Sequence, residues 1–236
     1  DSCELQARTL ILSGRYIKKI RGMHQKQTPF TNCKGRGCLE CNYHGISKFT
    51  SIEGKISKLL FEKFNGTQTK ITWIGGEDKN SLVLGNGRPF FAKLLNPKKR
   101  KTRLEKKFAD DEIEIHNLKI ISKIPKESIH FKSTIELSIF TEKKLNSKDL
   151  TSLKNLIKTP IVIYEKPNKR NQKSIYSVKF KKSSPKSFLF WITADGGLPI
   201  KRFVEGNNIQ PNIAELIGHK CECKEFDFHK IDLINF

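Results

Sequence analysis

No stretch of about 18 consecutive apolar residues occurs in this chain, so no segment reads as a membrane-spanning helix. A basic amphipathic segment with a consistent apolar face is also lacking, which argues against a membrane-surface protein. Acid is scarce: 24 Asp+Glu stand against 45 Lys+Arg, for a formal net charge of +21. Such an excess repels itself unless a polyanion offsets it, and nucleic acid is the default partner. Lysine well outnumbers arginine, a bias that an AT-rich coding sequence also produces, which discounts the charge argument without removing it. Cysteine is sparse and uneven, at Cys3, Cys33, Cys38, Cys41, Cys221 and Cys223. A secreted disulfide scaffold would be shorter and more evenly studded, so the spacing points to a reducing, cytoplasmic setting and to metal or plain structure. No internal repeat is present. The chain opens on Asp1-Ser2 with neither Met nor a signal-like stretch, which reads as a domain boundary or a processed end.

At 236 residues the chain suits one large domain or two small ones. Leu10-Ile11-Leu12 reads as a strand that turns at Ser13-Gly14 into a basic segment. Residues 51–64 carry Ile52, Ile56, Leu59, Leu60 and Phe64 at helical spacing, with Ser51 as N-cap. Strands are expected near 69–74, 81–84, 89–96, 113–121, 129–140, 160–164, 174–181, 188–193 and 222–234. Short helices are expected at 147–157 and 211–217, the second with Pro at its first turn and Gly218 as its stop. Ile200 to Val204 follows the Gly196-Gly197 turn. The sum is an α+β chain, more antiparallel than parallel by its short connections.

The most informative stretch is Gly75 to Phe90, GGEDKNSLVLGNGRPF. A strand-like run ends at two glycines and presents Asp78 in a turn where backbone can approach a bulky ligand closely. Alone, this is also an ordinary hairpin turn. Two further segments stand with it: GRYIKKIRGMHQKQTPF from Gly14, and Gly196 to Val204 followed by Pro211 to Gly218. Together, and in this order, they resemble the GRYxKxxR…QTPW, GREDxDxRxLGxGRPF and GTYIKEFVHGDxGRTxPxLxELLG motifs of the archaeal-type, family-ten tRNA pseudouridine synthases. CKGRGCLECNYHG and Lys158-Thr159-Pro160-Ile161 add to the likeness, which covers nearly the whole chain.

The resemblance implies an isomerase that turns T-arm uridine of tRNA into pseudouridine without a cofactor. Residues 1–236 would form one catalytic domain, a mixed, largely antiparallel sheet flanked by helices with a basic central cleft. A cysteine-rich loop at 30–46 and a basic linker or loop at 97–112 would interrupt it. Such enzymes usually carry an N-terminal RNA-binding domain of the THUMP type, and this chain starts too late to contain it; a separate THUMP-type subunit is one way to supply it. Asp78 would be the catalytic carboxylate, Lys201 its ion-pair partner, and Ile200 would pack on the uracil face. Arg15, Tyr16, Lys18, Arg21 and Arg88 would hold the tRNA backbone. For Arg88, a structural fork to backbone carbonyls is the equal alternative. Lys98, Lys99, Arg100 and Lys101 would add affinity that falls with salt.

Departures from the pattern are specific. Gly76 replaces the arginine before the catalytic acid, and Asn80 and Leu82 replace a second Asp and an Arg. The uracil-stacking tyrosine falls near Thr134-Ile135, with Tyr164 and Tyr176 as candidate substitutes. His, Asp and Arg are lost from Glu205–Gln210. Three readings therefore stay open: a divergent active isomerase, an enzyme dependent on a partner subunit, and a catalytically inactive tRNA- or rRNA-binding relative, within a ribonucleoprotein. In the cysteine loop the resemblance implies a structural zinc site, yet the first of four cysteine positions falls at Phe30. Cys33, Cys38 and Cys41 remain, with His44 or Cys3 to complete the set. Cys221-Glu222-Cys223 is expected to be structural.

Overall fold

A computed structural model describes residues 7–125, 127–166 and 169–234 and shows an α+β chain that divides into two compact units. The first runs to Val83 and resumes from Gly87 to Ser128; the second comprises Leu84–Asn86 and the chain from Ile129.

The first unit contains β1 (Leu10–Lys18), α1 (Ile52–Phe64), β2 (Gln68–Trp73), most of β3 (Val83–Leu95), β4 (Lys107–Ala109) and β5 (Ile113–Ile121). Its strands run in the order β4-β5-β1-β3 with β2 also on β3, and these pairings are antiparallel. Alternation along β1 buries Leu10, Leu12, Gly14, Tyr16 and Lys18. The turn expected at Ser13-Gly14 does not occur. Gly14 faces Phe90 in register, and a Cβ there would stand 2.9 Å from the Phe90 ring, so the missing side chain makes room for an aromatic instead of breaking the strand. In α1, Ser51 Oγ accepts the Gly54 N–H at 3.0 Å, and Ile52, Ile56, Leu60 and Phe64 form the buried stripe. The stripe is worth about 1.5–3 kcal/mol per side chain and the cap about 1 kcal/mol.

Two strands expected at 81–84 and 89–96 are one long strand, β3. The basic stretch at 97–112 is a loop closed by the short strand β4. Its Lys98 and Lys99 N–H groups donate to Asn65 and Phe64 carbonyls at the end of α1.

The second unit contains β6 (Phe131–Thr141), α2 (Ser147–Ser152) running into a 3-10 turn (Leu153–Ile157), β7 (Ile161–Lys166), β8 (Lys169–Lys173), β9 (Ile175–Ser184) and β10 (Ser187–Asp195). After these come α3 (Ile200–Glu205), β11 (Ile209–Gln210), α4 (Ile213–Ile217) and β12 (Cys221–Leu233). The main strand order is β12-β6-β10-β9, with β11-β7-β8 as a small separate sheet. Phe188, Phe190, Ile192 and Ala194 give β10 its buried face. The helix expected to begin at Pro211 starts two residues later, where Asn212 Oδ1 accepts the Glu215 N–H at 2.8 Å, and it ends at Gly218 as expected. Residues 84–86 are tied to β12. The Asn86 amide donates to the Ile231 carbonyl and accepts the Ile231 N–H at 3.1 and 3.0 Å, and Gly85, at φ +55°, lies where a Cβ would collide with the His229 carbonyl.

Candidate active site

Asp78 lies in the loop after β2, and a buried carboxylate anchors that loop. The neighbouring Glu77 side chain is fully shielded from solvent, as is Lys18, whose Nζ stands 3.2 Å from Glu77 Oε1. Arg88 Nε lies 3.3 Å from Glu77 Oε2, and Tyr16 OH donates to that oxygen at 2.8 Å. These residues meet because β1 alternation points Tyr16 and Lys18 inward and because Arg88 sits opposite Tyr16 in the β1–β3 register. Lys18 then reaches the loop itself, donating to the Asp78 and Lys79 carbonyls at 3.1 Å and to Met23 at 3.2 Å. Arg88 Nη1 donates to Ile74 O at 2.9 Å, and Gln25 Nε2 donates to Tyr16 OH at 3.0 Å and to Gly75 O at 3.3 Å.

The electrostatics follow from burial. Loss of water pushes the Lys18 ammonium below its ordinary value, and the Glu77 charge, with a smaller contribution from Asp78, works against that shift. Burial, then the Glu77 charge, holds the Tyr16 phenol well above its usual value of 10.0, so it stays a donor. Lys18 and Arg88 both face the one buried anion, Glu77, and Lys18 also feels Asp78. Asp78 itself is half-buried, and its Oδ1 accepts the Asn80 N–H at 2.9 Å. Glu77 is thus committed to structure on both oxygens, whereas Asp78 stands at the edge of the cluster.

The expected tRNA contacts divide accordingly. Tyr16, Lys18 and Arg88 are buried, with their charge and hydrogen bonds directed at the Asp78 loop; Arg88 donates to a backbone carbonyl, that of Ile74, and pairs with the Glu77 carboxylate. Arg15 and Arg21 are half-buried: Arg15 Nη2 donates to Gly87 O at 3.0 Å, and Arg21 Nη1 donates to Asn80 O at 2.5 Å. Lys98, Lys99, Arg100 and Lys101 are exposed, with Arg100 also donating to Arg8 O. In the second unit Ile200 is buried and Lys201 exposed, on the first turn of α3. There Tyr176 is exposed, donates to Asp195 at 2.8 Å and carries Lys132 Nζ 3.5 Å above its ring, while Tyr164 is half-buried near Arg170. Glu77 is the residue that sequence reasoning passed over. Its signal was present in β1, because a lysine two residues beyond Tyr16 on a buried strand face requires an acid.

A second cluster lies in the cysteine loop. The thiols of Cys33, Cys38 and Cys41 converge within 4.8 Å of one another. Backbone N–H groups of Gly37, Cys38 and Gly45 each approach a sulfur at 3.2 Å, Gly37 at Cys33 and the other two at Cys41, which suits thiolates better than thiols. Burial opposes ionisation of Cys41, but the Cys38 and Gly45 N–H groups and the neighbouring thiols outweigh it and bring the group down to about 7. A soft, three-thiol set of this kind fits zinc. His44 does not join it: its ring stacks on Phe61 at 4.5 Å, and burial lowers its basicity. Cys3 lies outside the described residues. Cys221 and Cys223 are buried in β12, with the Cys221 thiol pushed up to about 11 by burial, as befits structural cysteines.

The profile of the family described as Pus10, C-terminal, matches residues 11–232. A protein named tRNA pseudouridine synthase Pus10 from Nitrosopumilus maritimus is 48% identical over 233 residues, 99% of this chain and 61% of that protein. Proteins of the same name from Cenarchaeum symbiosum and Methanocaldococcus jannaschii are 34% and 32% identical over 231 and 246 residues. Those matches cover 98% and 96% of this chain but 57% and 54% of the two relatives.

Proposed function

Because the chain belongs to the Pus10 C-terminal family, we propose that it isomerises uridine to pseudouridine in the T-arm of tRNA with Asp78 as the reacting carboxylate. The observation that carries this reading is the division of labour between two adjacent acids. Glu77 is held on both oxygens by Lys18, Arg88 and Tyr16, and the loop they fix presents Asp78. Isomerisation breaks the N1–C1′ bond and makes a C5–C1′ bond, with one proton leaving C5 and one returning to N1. The target base must leave the stack before either atom is reachable. An ionised carboxylate at the ribose then acts as nucleophile or as base, and no redox partner is consumed. The roles that the resemblance assigns to Lys201 and Ile200 are to be tested by substitution.

One observation favours the inactive relative: Gly76 occupies the place of the motif arginine, and a Cβ built there meets nothing within 4 Å. Room for the side chain exists, but the side chain does not. The decisive experiment is pseudouridine mapping on an unmodified tRNA transcript, for the wild type and Asp78→Asn at low and moderate salt. Product from the wild type alone supports the enzyme. Tight tRNA binding without product, unchanged by adding a THUMP-type RNA-binding protein, supports the inactive relative.

A further inference from the structure

We infer that a cavity on the first unit, lined by Arg21, His24, Lys26 and Lys48, is a seat for a backbone phosphate of the RNA substrate. The inference rests on the reading of this chain as acting on tRNA. The cavity measures about 380 Å³ and lies between the segment after β1 and the approach to α1. His24, Lys26 and Lys48 are exposed, so the two ammonium groups and the imidazole are available to a ligand as large as a nucleic acid. Glu112 is the acid in the lining, and its carboxylate is paired with Lys55. Nearby Glu53, which accepts the Gln27 N–H at 3.0 Å, also feels Lys26. The positive side chains therefore outnumber the acids facing them. Backbone donors at the start of α1 do not make the site, since the Ile52 and Glu53 N–H groups are taken by the His24 and Gln25 carbonyls. Recognition here is by side-chain charge, as suits a phosphate in any sequence context.

The position of the cavity has a mechanistic consequence. Arg21 donates to the Asn80 carbonyl, and the Gly22 N–H donates to the Lys79 carbonyl at 2.9 Å. The wall of the cavity is thus hydrogen-bonded to the loop that carries Asp78. A phosphate seated there fixes the register of the RNA relative to that loop.

The test uses the full chain and two probes. In the first, inorganic phosphate is titrated while the His24 imidazole is followed by NMR. The site requires a His24 response in the wild type that is lost in Lys26→Gln/Lys48→Gln; no response, or an equal one in both, overturns it. In the second, an unmodified tRNA transcript is bound across a salt series. The same variant should bind about tenfold more weakly, with a log–log salt slope shallower by about one, as expected for one lost phosphate contact. Lys143→Gln/Lys144→Gln, which removes equal charge from the second unit, should keep the slope. Equal losses in the two variants overturn the site in favour of general charge attraction. A wild type that binds no tRNA defeats the tRNA reading and with it the RNA assignment, whereas normal tRNA binding by the Lys26/Lys48 variant defeats the site alone.

Discussion

At the scale of single residues, the account turns on which of two neighbouring acids is structural. Removing one partner from a buried, hydrogen-bonded ion pair leaves an uncompensated charge and costs about 3–5 kcal/mol. Glu77→Gln should therefore lower stability by about that amount in chemical denaturation, because Lys18 and Arg88 lose their shared anion. Lys18→Met should cost less, since it removes a charge together with its desolvation. Gly76→Arg is expected to leave stability within about 0.5 kcal/mol, as the position is open. It should also raise pseudouridine formation on a tRNA transcript if the missing arginine limits the enzyme; unchanged turnover would mean that its work is done elsewhere.

At the scale of elements, the sequence was most readable where periodicity is strong. The α1 stripe with its Ser51 cap was legible at both ends, and β5 was legible to the residue. Gly14 and the 81–96 region were misread because a glycine inside a strand looks like a break until its neighbours show what needs the space: the Phe90 ring at Gly14, the His229 carbonyl at Gly85 and the Tyr16 carbonyl at Gly87. The prediction is that Gly14→Ala costs about 1–3 kcal/mol through contact with Phe90 and that Phe90→Leu recovers part of the loss, measured as a double-mutant cycle. Of the candidate site, the loop after β2 that carries Asp78 was legible from its two glycines. The inward direction of Tyr16, Lys18 and Arg88 was hidden because basic residues read as surface unless strand alternation is followed through them. In the cysteine loop the three converging thiols were legible, and of the two candidates for a fourth ligand, His44 packs on Phe61 while Cys3 lies outside the described residues. Cys41→Ser should abolish stoichiometric zinc in metal analysis, whereas His44→Ala should not. Zinc affinity should weaken as pH falls, because protons compete for the sulfurs: the Cys38 thiol, held above its ordinary value, already competes at neutral pH, and Cys41 joins it below about 7.

At the scale of the whole molecule, a formal charge of +21 makes the proposed affinity for tRNA an ionic-strength measurement. A footprint of about 6–10 phosphates should lose about 10³–10⁵ in affinity between about 50 and 200 mM salt. Charge alone does not separate an enzyme from a binding protein, since both gather polyanions. What separates them is whether the loop held by Glu77 delivers a reacting carboxylate. The most direct measurement pairs single-turnover pseudouridine formation with thermal denaturation for Asp78→Asn and Glu77→Gln. The account predicts that Asp78→Asn loses product while melting like the wild type, and that Glu77→Gln melts early. Product from Asp78→Asn at the wild-type rate would contradict it.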